Sequence, residues 1–256
     1  MPMRLLLTND DGVYAPGLAA LHAALAPLHQ VTVVAPETEQ SAVGHAITLA
    51  DPIRVRRLGP RTGFAGWAVA GTPADCVKLA VSELLDQPPE LVVSGINLGA
   101  NVGVNLLYSG TVSAATEAAI LGLPGVAFSL GTLKEPDFTY AALVAAHIVG
   151  LHAGLRLPPH VSLNVNVPAL PAHKIKGIRF TRQSGARLVE KFLRRSDPRG
   201  HIYYWQAGET MGTEGDLDTD YPALRAGYVT VTPVHHDLTH EDMLARLGGL
   251  ALELPR

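Results

Sequence analysis

Cysteine is nearly missing from this chain: the single Cys76 among 256 residues has no partner within the molecule, which excludes a disulfide framework. A basic excess is missing as well. With 20 Lys and Arg against 23 Asp and Glu the formal charge is -3, and no basic stripe stands out, so neither a nucleic-acid polymer nor an anionic membrane is an expected partner. The most apolar helical stretch, residues 140–155, is broken by His147 and His152 and is shorter than the roughly 20 apolar residues a bilayer needs. The first residues open a core strand instead of a charged, then apolar, cleavable leader. The chain therefore reads as cytoplasmic, and it shows no internal repeat or low-complexity segment.

What is present is apolar mass and an alternating rhythm. Hydrophobic residues make up 47% of the chain, enough for a large core without staples. Short β-branched runs at 4–8, 31–35 and 91–94 alternate with helical patterns over 16–28 and 73–85. A further helix opens near Thr111, a strand follows at 126–130, and another helix at 140–155. Pro16 and Pro73 stand where a first helical turn tolerates a missing amide, and Thr72 suits an N-cap. This grammar predicts an α/β fold: a Rossmann-like parallel-sheet core with helices on both faces. Residues 53–57 and 67–70 read as a small hairpin inserted between units.

Past Pro158 the pattern changes. Residues 161–167 alternate, 178–181 form a short run, and 187–193 and 201–206 flank the turn Asp197-Pro198-Arg199-Gly200, which predicts a long hairpin. A strand at 228–232 and a short tail helix from Glu241 complete the chain. The expected division is a catalytic core over 1–157 and a C-terminal β-rich lobe with a protruding hairpin over 158–256. A two-stranded arm is barely stable alone in water, so this one is expected to pack on a second subunit.

The first strand runs directly into Asp10 and Asp11. Two carboxylates about 4 Å apart repel by roughly 4 kcal/mol at an effective dielectric near 20, so a site that holds them together calls for a cation. Hard oxygen donors point to Mg²⁺ or Mn²⁺, one ion per subunit. In open parallel sheets ligands bind beyond the carboxyl ends of the strands, and other polar residues fall on that edge: Glu37, Gln40 and Ser41 after the second strand, Asn97 and Asn101 after the 91–94 strand. Asp10, Asp11, Ser41 and Asn97 are the expected metal ligands. Ser109-Gly110-Thr111 opens a helix, whose free amides and dipole suit a phosphate; with Asn101 these form the expected substrate site. Asn9, Asp10 and Asp11 make up the expected catalytic set, acting through metal-activated water, with either acid able to orient or deprotonate that water.

Each piece alone has an ordinary reading: Asp-Gly after a strand is commonly a turn, and Ser109 alone suits simple capping. Their joint placement on one edge argues for a site. Cys76, beside Val77 and Leu79, reads as core. His235, His236 and His240 lack a zinc-site spacing and read as a solvated loop. Arg54, Arg56 and Arg57 read as an exposed strand face, and Lys191, Arg194, Arg195 and Arg199 as solvated charge on the arm. A response-regulator domain would need an aspartate at the end of its third strand, a haloacid-dehalogenase-like enzyme an Asp-x-Asp, and a dinucleotide oxidoreductase a glycine fingerprint after strand one. None is present. A non-enzymatic Mg-dependent nucleotide- or phosphate-binding signalling module shares the same cradle and stays open at this stage.

Thr8-Asn9-Asp10-Asp11-Gly12, Pro36 through Ser41, Ser94-Gly95-Ile96-Asn97 with Gly99 and Asn101, Tyr108-Ser109-Gly110-Thr111-Val112, and Gly227-Tyr228-Val229 with Thr232-Pro233 resemble, in this order, the survival protein SurE family of nucleotidases. The resemblance spans nearly the whole chain. It implies metal-dependent hydrolysis of nucleoside 5′- and 3′-monophosphates, with some relatives also trimming short polyphosphate. It also implies a Rossmann-like core and homodimers or homotetramers joined through C-terminal elements. Departures from the family pattern are Ala42 where many relatives carry Gly, Asn105 where acids are frequent, and Asp218-Thr219-Asp220 for Gly-Thr-Asp.

Overall fold

The computed structural model describes residues 2–59, 62–155, 157–211 and 215–250; residues 212–214 of the expected C-terminal lobe and the tail beyond Leu250 lie outside them. The strands are β1 (Arg4–Thr8), β2 (Gln30–Pro36), β3 (Arg54–Arg57), β4 (Gly66–Ala70), β5 (Leu91–Leu98), β6 (Gly125–Leu130), β7 (Val161–Val167), β8 (Ile178–Phe180), β9 (Arg187–Ser196), β10 (Ile202–Met211) and β11 (Val229–His235). The helices are α1 (Pro16–Leu25), α2 (Pro73–Leu79), α3 (Gly110–Ile120), α4 (Thr139–Leu155), α5 (Asp220–Arg225) and α6 (Glu241–Leu247).

Nine strands form one sheet in the order β3-β4-β2-β1-β5-β6-β7-β11-β8. Every neighbouring pair from β4 to β7 is parallel. β3 and β11 join antiparallel, and β8 adds parallel to β11. The chain winds outward one way through β1, β2 and β4 and the other way through β5, β6 and β7. The reversal therefore falls between β1 and β5, where a doubly wound sheet opens its ligand crevice.

Both faces of the sheet are covered, which explains the unbroken apolar strands. Leu5 and Leu7 pack with Val33 and Phe128 in the layer of Leu18, Leu21 and Leu25 from α1 and Ala145 and Val149 from α4. Leu6 points the other way and joins Val34, Val92, Cys76 and Val77 of α2 and Ala114 and Ala118 of α3. The fully buried thiol of Cys76 is thus a core group, as expected.

Three elements depart from expectation, the first being β5, which runs past Ser94 to Leu98 through a register shift, so that Asn97 lies in the end of the strand and not in a loop after it. The 53–57 and 67–70 runs do pair antiparallel, but β4 also pairs with β2 in parallel; it is a strand of the main sheet, and only β3 is an edge addition. Helix α2 opens with a reciprocal capping box between Thr72 and Asp75, and after Leu79 it widens into a π-helical turn (Ala80–Leu84) instead of continuing as α-helix. Among the described residues no helix is long and apolar enough to cross a membrane.

Strands β9 and β10 form a separate two-stranded arm, paired from Arg187↔Met211 to Ser196↔Ile202. Its turn is fastened by Asp197, whose Oδ1 accepts from the amides of Arg199 (2.8 Å) and His201 (2.9 Å). Phe192, Ile202, Tyr204 and Trp205 on the arm are all exposed, Trp205 by 62%.

Candidate metal and phosphate site

A cleft of about 1070 Å³ opens at the carboxyl ends of β1 and β5, with Asp10, Ser41, Asn97, Asn101 and Ser109 in its wall. Five of the nine residues expected from the sequence therefore line one space. The remaining four stand beside or behind it. Asn9 is fully buried, and its Nδ2 donates to the Gly12 carbonyl at 2.8 Å, so it holds the turn that carries the acids. Asp11 is half-buried, with Oδ2 accepting from the Leu98 amide at 3.3 Å. Gly110 and Thr111 lie under the Asp10 side chain.

The contact between Asp10 and α3 is close. The Thr111 hydroxyl donates to Asp10 Oδ1, and the Thr111 amide also bonds the carboxylate. A Cβ on Gly110 would fall 2.7 Å from Asp10 Cβ and 3.1 Å from Pro73 Cγ, so only glycine fits between them. Ser109 caps the helix by accepting from the Val112 amide at 3.1 Å and still faces the cleft.

Ser41 arrives on a segment without regular structure that is tied down at several points. Gln40 donates its amide to the Asp10 carbonyl (2.7 Å), and Gly44 its amide to the Tyr108 carbonyl (3.1 Å). Thr48 bonds Asp75 through its amide (2.9 Å) and hydroxyl (2.6 Å). His45 Nε2 lies 2.7 Å from Glu117 Oε2, while Lys78 holds the other Glu117 oxygen at 2.9 Å. Burial pushes the Glu117 carboxyl up, but the bonds from His45 and Lys78 outweigh it and leave the group below its ordinary range. Ala42 sits at φ 59°, in the left-handed region that favours glycine over residues with a side chain.

Asn101 is fixed by buried amides that the sequence reading did not single out. Its N–H donates to Asn166 Oδ1 (2.8 Å), its Nδ2 to Ser129 Oγ (2.9 Å), and its carbonyl accepts from Asn164 Nδ2 (2.7 Å) and Asn166 Nδ2 (3.0 Å). The signal was there: Asn164 and Asn166 alternate with apolar residues on β7, and a buried amide must find partners. Val104, Asn105, Tyr108, Arg187 and Gln206 also line the cleft. Arg187 stands at the first residue of the arm, a position that gives no local cue.

The electrostatics favour a cation. Burial raises the Asp10 carboxyl against the opposing bonds from Thr111. Asp11 is pushed up to about 6, first by burial and then by the neighbouring charge of Asp10. Among the described residues neither acid has an ion-pair partner. Asn97 commits its Nδ2 to the Gly99 carbonyl (2.7 Å), and Ser41 donates to Glu39 Oε1 (2.6 Å), so each presents an oxygen as acceptor. Two unneutralised carboxylates with two neutral oxygens in the same region make a hard donor set that fits Mg²⁺ or Mn²⁺. Among the described residues no group of three or more His, Cys, Asp or Glu could hold a metal, so a cation here depends on Ser41 and Asn97 as well. Among the described residues the three C-terminal histidines form no metal-holding group: His236 stands edge-on against His160, and His240 caps α6.

Comparison with known proteins agrees with this architecture. The model of the survival protein SurE family matches residues 5–190. A 5′-nucleotidase SurE from Syntrophobacter fumaroxidans is 55% identical over 246 residues, covering 96% of this chain and 98% of the relative. Another, from Syntrophus aciditrophicus, is 54% identical and covers 97% and 94%. The crystal structure of the SurE protein from Aquifex aeolicus superposes with a TM-score of 0.83 at 42% identity, over 95% of this chain and 98% of that one. The chain belongs to the survival protein SurE family.

Proposed function

We propose that this protein is a metal-dependent phosphomonoesterase that hydrolyses nucleoside 5′- and 3′-monophosphates to nucleoside and phosphate. The observation that carries the reading is the couple Asp10 and Asp11 at the sheet's switch point, without an ion-pair partner among the described residues, with the start of α3 against Asp10 and the cleft in front. The names of the relatives, 5′-nucleotidases at about half identity over nearly full length, support it. They also disfavour a signalling module that only binds nucleotide.

Asp10, Asp11, Ser41 and Asn97 would hold one Mg²⁺ or Mn²⁺. When bound, that ion supplies Lewis acidity at a phosphoryl oxygen and acidifies water. The chain's own residues do the rest. Ser109 and Asn101 donate to the phosphoryl oxygens from fixed positions, since one is pinned as a helix cap and the other by the buried amides. Asp10 or Asp11 would take a proton from the attacking water as the water oxygen bonds to phosphorus; the phosphorus–oxygen bond to the nucleoside breaks, the departing oxygen takes up a proton from solvent water, and no covalent enzyme intermediate forms. Gly110 and Thr111 set the position of Asp10, and Asn9 sets the turn that carries both acids.

The 158–256 segment is the proposed site of self-association into a homodimer or homotetramer. Apolar side chains on both faces of the β9–β10 arm and on α6, where Met243, Leu244 and Leu247 are exposed, suit a second copy of the chain.

The test is phosphate release from AMP by purified protein with added Mn²⁺ or Mg²⁺, and again after EDTA. Turnover that appears with the ion and vanishes with the chelator is expected. No release above background under any ion would end the hydrolase reading.

A further inference from the structure

The cleft has a second wall, built by the root of the arm, and its placement is rigid although the arm itself is exposed. Asp220 is fully buried. Its Oδ2 accepts from the Gly103 amide (2.9 Å) and its Oδ1 from the Ser184 amide (3.0 Å). Gln183 Nε2 donates to the Gly103 carbonyl (2.8 Å), and the Val104 amide donates to the Ala186 carbonyl (2.7 Å). The two segments cross so closely that a Cβ on Gly103 would lie 2.1 Å from the Ala186 oxygen. One segment continues through Val104 and Tyr108 to Ser109. The other continues directly to Arg187. The backbone of Arg187 is thus bolted to the same segment that delivers Ser109.

Among the twelve described residues that line the cleft, Arg187 alone carries a positive charge. Among the described residues it has no ion-pair partner. Asp10 and Asp11 repel a phosphate dianion, and a divalent cation cancels their charge without exceeding it. An anionic substrate therefore still needs a positive group in the cleft, and a guanidinium meets phosphate oxygens with two parallel bonds.

We infer that Arg187 is the residue through which the arm binds the substrate's phosphate charge, so that the C-terminal arm is part of the substrate site. The inference rests on the phosphomonoesterase reading and names a binding residue for it. Its test compares the metal-loaded wild type with Arg187→Ala and Arg187→Lys, using AMP, the non-hydrolysable phosphonate analogue of AMP, and adenosine. For Arg187→Ala, KM for AMP and the Kd of the phosphonate by calorimetry should each rise about tenfold or more. The adenosine inhibition constant should stay within about twofold and kcat should change less than KM, with Arg187→Lys in between. The wild-type KM should also climb more steeply with added salt than that of Arg187→Ala. Unchanged KM and phosphonate Kd, or an equal weakening of adenosine, would overturn the inference. Absence of wild-type turnover would strike the hydrolase reading alone, and the phosphonate Kd would then judge Arg187 by the same tenfold criterion.

Discussion

Asp11 is where a proton and a divalent cation compete for the same oxygens. In the metal-free protein its carboxyl titrates near 6 instead of 3.8, because of burial and the Asp10 charge. A folded pKa raised in this way contributes stability that is complete below the unfolded value and is lost as pH rises through about 6. Metal-free wild type should therefore lose melting temperature between about pH 4 and pH 6.5, most of it before pH 6. Asp11→Asn, with nothing to ionise, should lose less, and scanning calorimetry in EDTA across that window reads the difference. With metal the proton competes, so calorimetric Mg²⁺ or Mn²⁺ affinity should fall as pH drops through the same range. Asp10→Asn and Asp11→Asn should each cut turnover by about a hundredfold or more while circular dichroism stays native. Normal turnover in either variant would move the site elsewhere. The acid pair was legible because two adjacent carboxylates at a strand end repel each other unless a cation joins them. Asp220 was not, because its partners at Gly103 and Ser184 are backbone amides far away in sequence, and a buried carboxylate that serves amides leaves no motif.

The segment that carries Ser41 has no helix or strand of its own, so its position is borrowed from its neighbours. Asp75 is the anchor with the most bonds: it holds Thr48 twice and closes the cap of α2 through Thr72. Although burial pushes its carboxyl up, the Thr48 and Thr72 donors outweigh this and hold it below 3.8. That contribution is present above the unfolded pKa and is lost as pH falls below it. Asp75→Ala should cost about 1–3 kcal/mol, read by urea unfolding at neutral pH, and the gap to wild type should shrink in acid. The variant should also need more metal for half-maximal activity, since Ser41 is no longer held. A metal requirement equal to wild type would show that the segment keeps its place by other ties. Strands β1 and β7 were readable to their ends from their own side chains. The role of β4 was not, since its neighbour β3 is adjacent in sequence while its other partner, β2, lies some thirty residues upstream and pairs through backbone alone. The π-turn after Leu79 escaped for a similar reason: its side chains are ordinary helix formers, and only the backbone bonding differs.

At the scale of the molecule, the sheet leaves an arm and a tail helix that its core does not bury. If a second copy covers them, shortening the arm between residues 192 and 203 with a two-residue turn should lower the sedimenting mass, and an unchanged sedimentation profile would count against the arm as the contact. The doubly wound order could be expected from alternating strands and helices, because each βαβ unit is local. How β8 and β11 extend the same sheet could not, since their pairing depends on long returns of the chain.

The seat of Asp10 against α3 has one more consequence. In the first turn of the helix the Thr111 amide is occupied by a carboxylate of the same chain and the Val112 amide by the Ser109 hydroxyl, so much of the spot a stray anion would seek is already taken. A subunit stripped of its ion should be nearly blind to orthophosphate. The ester's entrance is then licensed by the cation and not by the helix, which makes metal supply a gate on substrate entry as well as on chemistry.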